Sequence, residues 1–278
     1  MKVAVLVLAY GYPLGLKALS RFFATDPSFS LFVHTDQKVD INPFIDNAGS
    51  SAIMLEDRVK VYWRGWTMGE ATMQLITKAR SQGAFDRYLL ISDDSIPLVN
   101  LQALSRAIQD SPDYMQLAPT PSRSWRYERF FMFDSEATQL RFTPNRNFDD
   151  DALSRIERMI ALHRRGKKPI KYFYQGSQWW GLSASSIEKI VESWGEDQWL
   201  RESFEFSDTP DESYFHQILG QAGTYDSNPL MWVDWSAKIP PKIFTTSDDL
   251  LNITKQKQIF ARKINFTENE LMRWIEAL

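Results

Sequence analysis

The sequence predicts an α/β fold built on a mostly parallel sheet. Short apolar segments rich in Val, Leu and Ile alternate along the chain with segments whose apolar residues recur at helical spacing. Continuous apolar runs are typical of parallel strands buried on both faces, and their alternation with helices is typical of α/β sheets. The composition agrees, because 44% of the 278 residues are hydrophobic and 24% are charged, so the chain can bury a large core.

The first apolar run, Val3–Ala9, predicts a buried first strand. It is far shorter than the roughly 20 residues that span a bilayer, and no small-residue cleavage site follows it. We therefore expect neither a membrane span nor a signal peptide there. The pattern then predicts a helix at 14–24, strands at 30–34, 59–62 and 87–91, and a helix at 67–80.

Polar side chains stand where two of these predicted strands end. His34 and Asp36 follow one strand, and Asp93 and Asp94 follow another. Since ligands of α/β sheets bind beyond the carboxyl ends of the strands, we expect these four residues at the mouth of a binding site. The Asp93-Asp94 pair admits two interpretations: it holds a divalent cation, or it caps the next turn or contacts a ribose or sugar.

The second half of the chain begins with an irregular, aromatic-rich segment at 119–151, which suits a lid or a binding loop. A helix is predicted at 151–163, followed by a basic run at 164–168 that is either a solvated turn or a contact with an anionic partner. The last helix is expected to begin at Thr267, whose spacing to Glu270 predicts a capping box.

Charge and composition argue against several classes of protein. The net charge of −3 argues against a nucleic-acid partner, because the phosphate backbone calls for a basic face. The absence of cysteine excludes disulfides and thiolate chemistry and fits a reducing compartment. The glycine-rich and nucleophile-elbow motifs of dehydrogenases, ATPases and hydrolases are missing. The ten tryptophans either fill the core or form sugar-stacking surfaces.

Two charged segments suit chemistry on a hydroxyl and an anion. Pro210 is expected to fix the first turn of a helix, where Asp211 and Glu212 complement the helix dipole. A carboxylate held at a helix start can equally serve as a general base for an attacking hydroxyl. The adjacent cations Arg262 and Lys263 form either a solvated turn or a site for an anionic leaving group such as a diphosphate.

Seven short segments carry a further pattern: Val3–Ala9 with Phe32-Val-His-Thr-Asp36, Trp63-Arg-Gly-Trp-Thr67, Tyr88-Leu-Leu-Ile-Ser-Asp-Asp-Ser-Ile-Pro97, Gly176-Ser-Gln-Trp-Trp180, Pro210-Asp-Glu-Ser-Tyr-Phe-His216, Val233-Asp-Trp235 and Phe260-Ala-Arg-Lys263. In this order they resemble the motifs of the family of core-2/I-branching N-acetylglucosaminyltransferases and peptide O-xylosyltransferases. Each segment alone is a weak signal. Their shared order over most of the chain makes the resemblance specific.

The resemblance implies a GT-A-like fold, in which a Rossmann-like nucleotide-binding sheet carries helices on both faces within a single domain at 1–278. Residues 1–118 would then bind a nucleotide sugar, and 119–278 would bind the acceptor and catalyse transfer. The implied reaction is inverting transfer of a sugar of the GlcNAc or xylose class, from an expected UDP-linked donor to a carbohydrate hydroxyl. No cofactor is implied, because basic side chains rather than a divalent metal would hold the diphosphate.

The resemblance also implies roles for individual residues. Glu212 matches the catalytic base of the family, and Lys263 with Arg262 matches its diphosphate clamp. Asp36 matches an acidic residue near the nucleotide. A second basic clamp residue is not clearly matched, and Lys238 and Lys242 are the candidates.

The sugar and the acceptor are expected to meet a further set of side chains. Trp179 and Trp180 lie in the segment that shapes the sugar site, and contacts are also expected from Asp94 and Asp211. Because adjacent residues of a strand point to opposite faces, we expect one of the two rings at the site and the other in the core. Arg64 stands where the family has a glycine and is expected to add a phosphate contact.

The sequence departs from the family at Asp93, which replaces a glycine, and at Ser95, which replaces an aspartate, so this loop is expected to differ in role. Animal members of the family carry disulfides and a membrane anchor. With neither found here, we expect a bacterial-type cytoplasmic enzyme of surface polysaccharide synthesis, acting on a carbohydrate or glycolipid. A peripheral contact with the inner face of the membrane stays open. The alternatives are a metal-dependent GT-A transferase using Asp93 and Asp94, and a non-catalytic carbohydrate-binding protein.

Overall fold

A computed structural model describes residues 1–110, 113–143, 148–222, 228–237, 241–251, 253 and 257–278. The strands, in chain order, are β1 Val3–Ala9, β2 Phe29–Thr35, β3 Ala52–Met54, β4 Arg87–Ser92, β5 Ile96–Pro97, β6 Ala118–Pro119, β7 Tyr174–Gln175, β8 Trp180–Ser183, β9 Met231–Val233 and β10 Phe260–Arg262. The α-helices are α1 Pro13–Phe23, α2 Asn42–Ala48, α3 Thr67–Gln82, α4 Leu101–Asp110, α5 Trp125–Glu128, α6 Glu136–Gln139, α7 Asp150–His163, α8 Ala184–Glu196, α9 Gln198–Glu205, α10 Tyr214–Gln221, α11 Asp248–Leu251 and α12 Glu268–Ala277.

The central sheet has the strand order β3-β2-β1-β4-β8. β1 pairs in parallel with β2 and β4, β2 pairs in parallel with β3, and β8 runs antiparallel at the edge. The side chains of β1 are buried except at Leu8, which is partly exposed. Helices α1, α3 and α8 pack against this sheet. The predicted α/β class is thereby confirmed, and the mostly parallel sheet flanked by helices is consistent with a GT-A-like fold.

A second sheet brings the C-terminal part of the chain to the end of β4. In it, β10 lies between β5, to which it is antiparallel, and β9, to which it is parallel. The last helix, α12, begins at the predicted capping box of Thr267 and Glu270. Trp274 on this helix donates from Nε1 to the Pro97 carbonyl at 2.9 Å, which ties the helix to β5.

The predicted strand at 59–62 is wrong. The third strand of the central sheet is instead β3, and side chains take the N–H groups of 59–62. Val59 N–H donates to Nε2 of His34 at 3.0 Å, and Val61 N–H donates to Oδ1 of Asp36 at 3.3 Å. These bonds stand in place of a strand ladder. The predicted elements at 14–24, 30–34, 67–80, 87–91 and 151–163 are confirmed to within two residues at each end.

The predicted helix start at Pro210 is also corrected. Pro210–Glu212 forms a single 3-10 turn, and helix α10 begins only at Tyr214. Ser213 separates the two because its φ of −142° lies outside the helical region. Glu212 therefore lies in a tight turn before the helix rather than in the helix itself.

The described part of the aromatic-rich segment at 119–151 contains the short helices α5 and α6 and the start of α7. Strand β6 pairs antiparallel with β7, which anchors the beginning of the segment. Among the described residues, no helix is both long and apolar enough to cross a membrane.

We predict that Trp180→Ala lowers the free energy of unfolding by about 3–5 kcal/mol, because the ring at the start of β8 is 0% exposed and its removal leaves a cavity. Urea unfolding measures this loss. The matched control is Trp235→Ala, which removes a ring that is 59% exposed and should change stability far less. Equal losses for the two variants would contradict the central position of Trp180.

Candidate active site

The carboxyl end of β4 carries an ion cluster formed by Asp94, Arg262 and Lys263. Arg262 donates to the Asp94 carboxylate twice, from Nε to Oδ1 at 3.0 Å and from Nη2 to Oδ2 at 3.2 Å. Lys263 Nζ lies 3.9 Å from Oδ2, and Ser92 Oγ donates to Oδ1 at 2.5 Å. The pairing of β10 with β5 brings Asp94 and Arg262 together across 168 positions of sequence.

Burial and charge act in opposite directions on the groups of this ion cluster. Burial alone would raise the pKa of Asp94, but the charge and hydrogen bonds of Arg262, together with Ser92 and Lys263, lower it below its ordinary value. Burial, reinforced by Arg262, lowers the pKa of Lys263. Two cationic side chains share one carboxylate, so the ion cluster suits an anionic ligand.

Asp93 has a different task from its neighbour. Its Oδ2 accepts hydrogen bonds from the backbone N–H groups of Tyr10, Gly11 and Tyr12 at 2.8–3.0 Å, which holds the loop between β1 and α1. Burial, with the nearby charge of Asp94, raises its pKa.

These contacts bear on the interpretation of Asp93-Asp94 as a metal site. One carboxylate already accepts from N–H donors and the other from cations. In the part of the chain that the structure describes, no three His, Asp or Glu side chains gather where they could hold a metal ion. The contacts show Asp93 holding the loop between β1 and α1, and Asp94 pairing with Arg262 and Lys263.

The two adjacent tryptophans face different surroundings. The Trp179 ring centroid lies 4.4 Å from the guanidinium carbon of Arg262, so this ring packs on the ion cluster. Trp180 has no exposed surface and packs edge-to-face with Phe215. The geometry agrees with the expected division between a site-facing and a core-facing ring. It leaves Trp180 no surface for direct contact with a sugar.

Asp36 lies at the same edge of the sheet, as its position after β2 predicts. Its backbone N–H donates to the Ala9 carbonyl at 3.0 Å, and the N–H of Asp93 donates to the Leu8 carbonyl at 3.1 Å. Both aspartates therefore flank the end of β1. The buried Asp36 carboxylate accepts from the N–H of Lys38 at 2.9 Å and also pairs with Nζ of this lysine at 2.9 Å.

The buried histidines at the site contact different segments. Burial lowers the pKa of His34 to about 4 and that of His216 to about 3, so both rings are neutral at pH 7. His34 accepts from the Val59 N–H, and His216 donates from Nε2 to the Ser177 carbonyl at 3.1 Å. Each ring thus holds backbone in place.

A second group of side chains surrounds Glu212. Its Oε2 accepts from Nη1 of Arg126 at 2.9 Å and from Nε2 of Gln175 at 3.2 Å. The side chain is 33% exposed, and within the described residues Oε1 has no hydrogen-bond donor. One carboxylate oxygen is therefore fixed in place while the other remains available to a ligand.

Backbone contacts fix this arrangement. Gly176 N–H donates to the Glu212 carbonyl at 3.0 Å, which places β7 beside the 3-10 turn. A Cβ at Gly176 would lie 1.5 Å from the carbonyl oxygen of Gln116, so only glycine allows this approach. Asp211 is buried, and burial with the charge of Glu212 raises its pKa well above the ordinary value. Of the two neighbouring carboxyl groups, Asp211 favours the neutral form inside the protein.

Arg64 forms its ion pair with a residue outside the ion cluster. Its guanidinium makes a two-point ion pair with the fully buried carboxylate of Asp208, with Nε donating to Oδ1 at 2.7 Å. It also packs near the rings of Phe133 and Phe142. Arg64 has a φ of +67°, a conformation that glycine adopts more readily. The resembled family has glycine at this position. The structure therefore does not bring Arg64 to Arg262 and Lys263.

The two lysines that the sequence offered as a second clamp residue are not both described by the structure. Lys242 Nζ pairs with Asp249 at 3.3 Å, and Lys238 lies outside the described residues. The sequence missed Arg126, the partner of Glu212. It stands in the irregular aromatic segment, where no periodicity or motif marked it. Gln175 belongs to a segment beside a quoted motif, but its role depends on the fold.

One short segment connects the two groups of side chains. Gln175 contacts Glu212, and Trp179, four positions later, contacts Arg262. Four residues of chain span at most about 14 Å when fully extended. The backbone positions of Gln175 and Trp179, which contact Glu212 and the ion cluster respectively, are therefore no more than about 14 Å apart.

The sequence model of the Core-2/I-branching enzyme family matches residues 3–259 of the chain. The matched range includes Glu212 and ends before Arg262 and Lys263. No curated protein matches the chain closely enough to count as a relative. Because the family match covers far more than half of the sequence, the chain belongs to the Core-2/I-branching enzymes, a family of glycosyltransferases that act on carbohydrate.

Proposed function

We propose that this glycosyltransferase moves a sugar with inversion from a UDP-linked donor of the GlcNAc or xylose class to a hydroxyl of a carbohydrate or glycolipid acceptor. The observation that carries the proposal is the Glu212 carboxylate, held at one oxygen by Arg126 and Gln175 and, among the described residues, without a hydrogen-bond donor at the other. The remaining steps assign the proton, the diphosphate and the donor to the residues around it.

The proton of the attacking hydroxyl goes to Glu212. An acceptor hydroxyl is a weak nucleophile, so it needs a base as it attacks the anomeric carbon from the face opposite the departing diphosphate. The bonds from Arg126 and Gln175 orient the carboxylate and leave Oε1 to take the proton. Asp211 is poorly suited to this task because its carboxyl is buried, which keeps it from an acceptor hydroxyl.

The negative charge of the departing diphosphate is neutralised by Lys263 and Arg262. Lys263 is the more available of the two, because its side chain is 35% exposed and lies 3.9 Å from Asp94. Arg262 is held by two hydrogen bonds to Asp94 and by the Trp179 ring, which fixes its direction. Fixed cations in a partly buried site can supply the charge that a divalent metal supplies in other transferases.

The connection of the two groups by one short segment supports placing one sugar and its diphosphate between them. The backbone positions of Gln175 and Trp179 lie within about 14 Å of each other, and each reaches one of the two groups. An anomeric carbon placed between them would have the base on one side and the leaving group on the other. The nucleotide would then extend toward Asp36, at the end of β2.

The setting of the reaction follows from the family resemblance. A bacterial-type member would act in the cytoplasm on a surface polysaccharide, with the donor bound by 1–118 and the acceptor by 119–278.

UDP donors should raise the melting temperature more than GDP, CMP or dTDP sugars, because a ligand that binds only the folded state stabilises it. A larger shift with another nucleotide would overturn the choice of UDP.

Glu212→Gln should lower kcat by at least about 10²-fold, since general-base catalysis contributes about 10²–10⁴-fold and the amide keeps the shape without the base. The affinity for UDP, measured by titration, should be unchanged. Asp211→Asn is the matched control and should have a milder effect, because the Asp211 carboxyl already favours its neutral form. Near-normal turnover of Glu212→Gln, with activity abolished by Asp211→Asn or Asp94→Asn, would place the base elsewhere.

Lys263→Ala should weaken the binding of UDP by roughly 10–100-fold, the effect of losing a hydrogen bond from a charged group. Lys189→Ala, which removes an exposed lysine from α8, is the control and should leave binding unchanged.

Sugar transfer should retain full activity in excess EDTA. Loss of activity in EDTA and recovery with Mn²⁺ would instead favour a metal held by Asp93 and Asp94.

A further inference from the structure

An open groove of about 860 Å³ is lined by residues adjacent in sequence to Arg126 and Gln175, the partners of Glu212. We call it the aromatic-basic groove, after the residues that dominate its lining: Tyr127, Phe130, Lys167, Lys171, Tyr172 and Phe173. None of these residues takes part in the ion cluster or in the contacts of Glu212 described above. The proton transfer and the diphosphate contacts leave the groove without a role.

The groove is built on the same two elements as the Glu212 site. Helix α5 carries Arg126, which pairs with Glu212, and next to it Tyr127, which lines the groove. The segment leading into β7 lines the groove at Tyr172 and then presents Gln175 to Glu212. The lining of the groove and the contacts of Glu212 are therefore within a few residues of each other along both segments.

Lys167 contributes an unusual cation to this groove. Its Nζ donates to the Ser203 carbonyl and to Ser207 Oγ, and it lies 4.4 Å from the centroid of the Phe130 ring. Within the described residues it forms no ion pair, whereas the neighbouring Lys168 pairs with Asp197.

Burial, reinforced by nearby Arg164 and opposed by Glu205, lowers the pKa of Lys167 to about 7. A partly buried ammonium group without a carboxylate partner is less stable than one that is paired. An anion that enters the groove would supply the missing partner. The exposed Glu128 is the acidic side chain in the lining, and Lys171 adds a second cation.

The groove also offers an aromatic surface. Tyr172 is 53% exposed, and its ring lies 5.1 Å from Nζ of Lys171. An exposed ring with a polar tip can stack on the apolar face of a sugar while its hydroxyl stays in water. The combination of an open ring and a cation without an acidic partner is chemically suited to a sugar that bears a negative charge.

We propose that the aromatic-basic groove binds the acceptor glycan, that this glycan carries a carboxylate or phosphate group, and that Lys167 binds this anionic group while Tyr172 stacks on a sugar ring. The inference rests on the proposed function, because it names the class of acceptor that would meet Glu212. A carboxylate and a phosphate present the same chemistry to Lys167, so binding experiments must separate the two sources.

The test is a calorimetric titration of the full chain with four probes: trigalacturonate, neutral galactotriose, a mannotriose 6-phosphate and a hexaglutamate peptide. Trigalacturonate or the phosphorylated trisaccharide should bind at least about tenfold more tightly than galactotriose. Whichever binds more tightly identifies the anionic group. Equal affinity for the charged and neutral trisaccharides, or tighter binding of the peptide, would overturn the proposal.

Two variants separate the charge from the ring. Lys167→Met should weaken binding of the acidic glycan at least about tenfold and leave galactotriose binding unchanged, whereas Tyr172→Ala should weaken both. Lys189→Met, on the exposed face of α8, is the control and should change neither. Unchanged binding of the acidic glycan by Lys167→Met would contradict the assignment.

The melting temperature provides a second readout for Lys167. Lys167→Met should melt at the same temperature as the parent protein or higher, because methionine has a similar length and removes an unpaired cation. A lower melting temperature with unchanged glycan binding would assign Lys167 a purely structural role. Titration with UDP distinguishes the two hypotheses. If the acidic glycan does not bind but UDP binds normally, the groove proposal alone is wrong. If UDP does not bind, the proposed function is wrong.

Discussion

The ion pair between Asp94 and Arg262 is the contact on which the site near the sheet depends. It joins the turn after β4 to β10, and the Ile264 N–H reinforces the junction by donating to the Asp94 carbonyl at 3.0 Å. Removal of either partner would leave a partly buried charge without compensation, which is more damaging than the pair is stabilising. The direction of Arg262, the place of Trp179 and the position of Lys263 all follow from this junction.

Adjacent acidic residues occur twice at the site, and in each pair the fold gives the two side chains different surroundings. Asp93 is buried among backbone N–H groups while Asp94 pairs with cations, so burial raises the pKa of the first and cations lower that of the second. Asp211 is buried beside Glu212, whose carboxylate reaches the surface and an arginine. The same side-chain chemistry thus serves different purposes, because desolvation and neighbouring charge set the protonation state.

The position of the Glu212 carboxylate is fixed by closely packed backbone segments. Helix α5 and strand β7 present Arg126 and Gln175 to the carboxylate, and the close approach at Gly176 keeps the end of β7 against the backbone of Gln116. Helix α5 and the segment at 167–173 that leads into β7 form a wall of the aromatic-basic groove. A shift of either element would therefore alter the proposed base and the groove together, which gives the two sites a common mechanical support.

The sequence by itself determined the strands β1, β2 and β4, because continuous apolar runs leave little alternative to burial in a parallel sheet. It also placed Asp36, Asp93 and Asp94 at the sheet edge, and the order of its motifs indicated the family, which the match over 3–259 confirms. It failed at 59–62, since side chains distant in sequence took the N–H groups that a strand would have paired.

Only the tertiary structure decided which charges meet. The pairing of Arg126 with Glu212, of Arg64 with Asp208 and of Arg262 with Asp94 joins residues 86, 144 and 168 positions apart. Local patterns carry information about neighbours within a turn or two, whereas these contacts depend on how sheets and loops pack. The burial that changes the pKa of Asp211 and Lys167 has the same origin, because desolvation is a property of the folded surroundings and not of the residue.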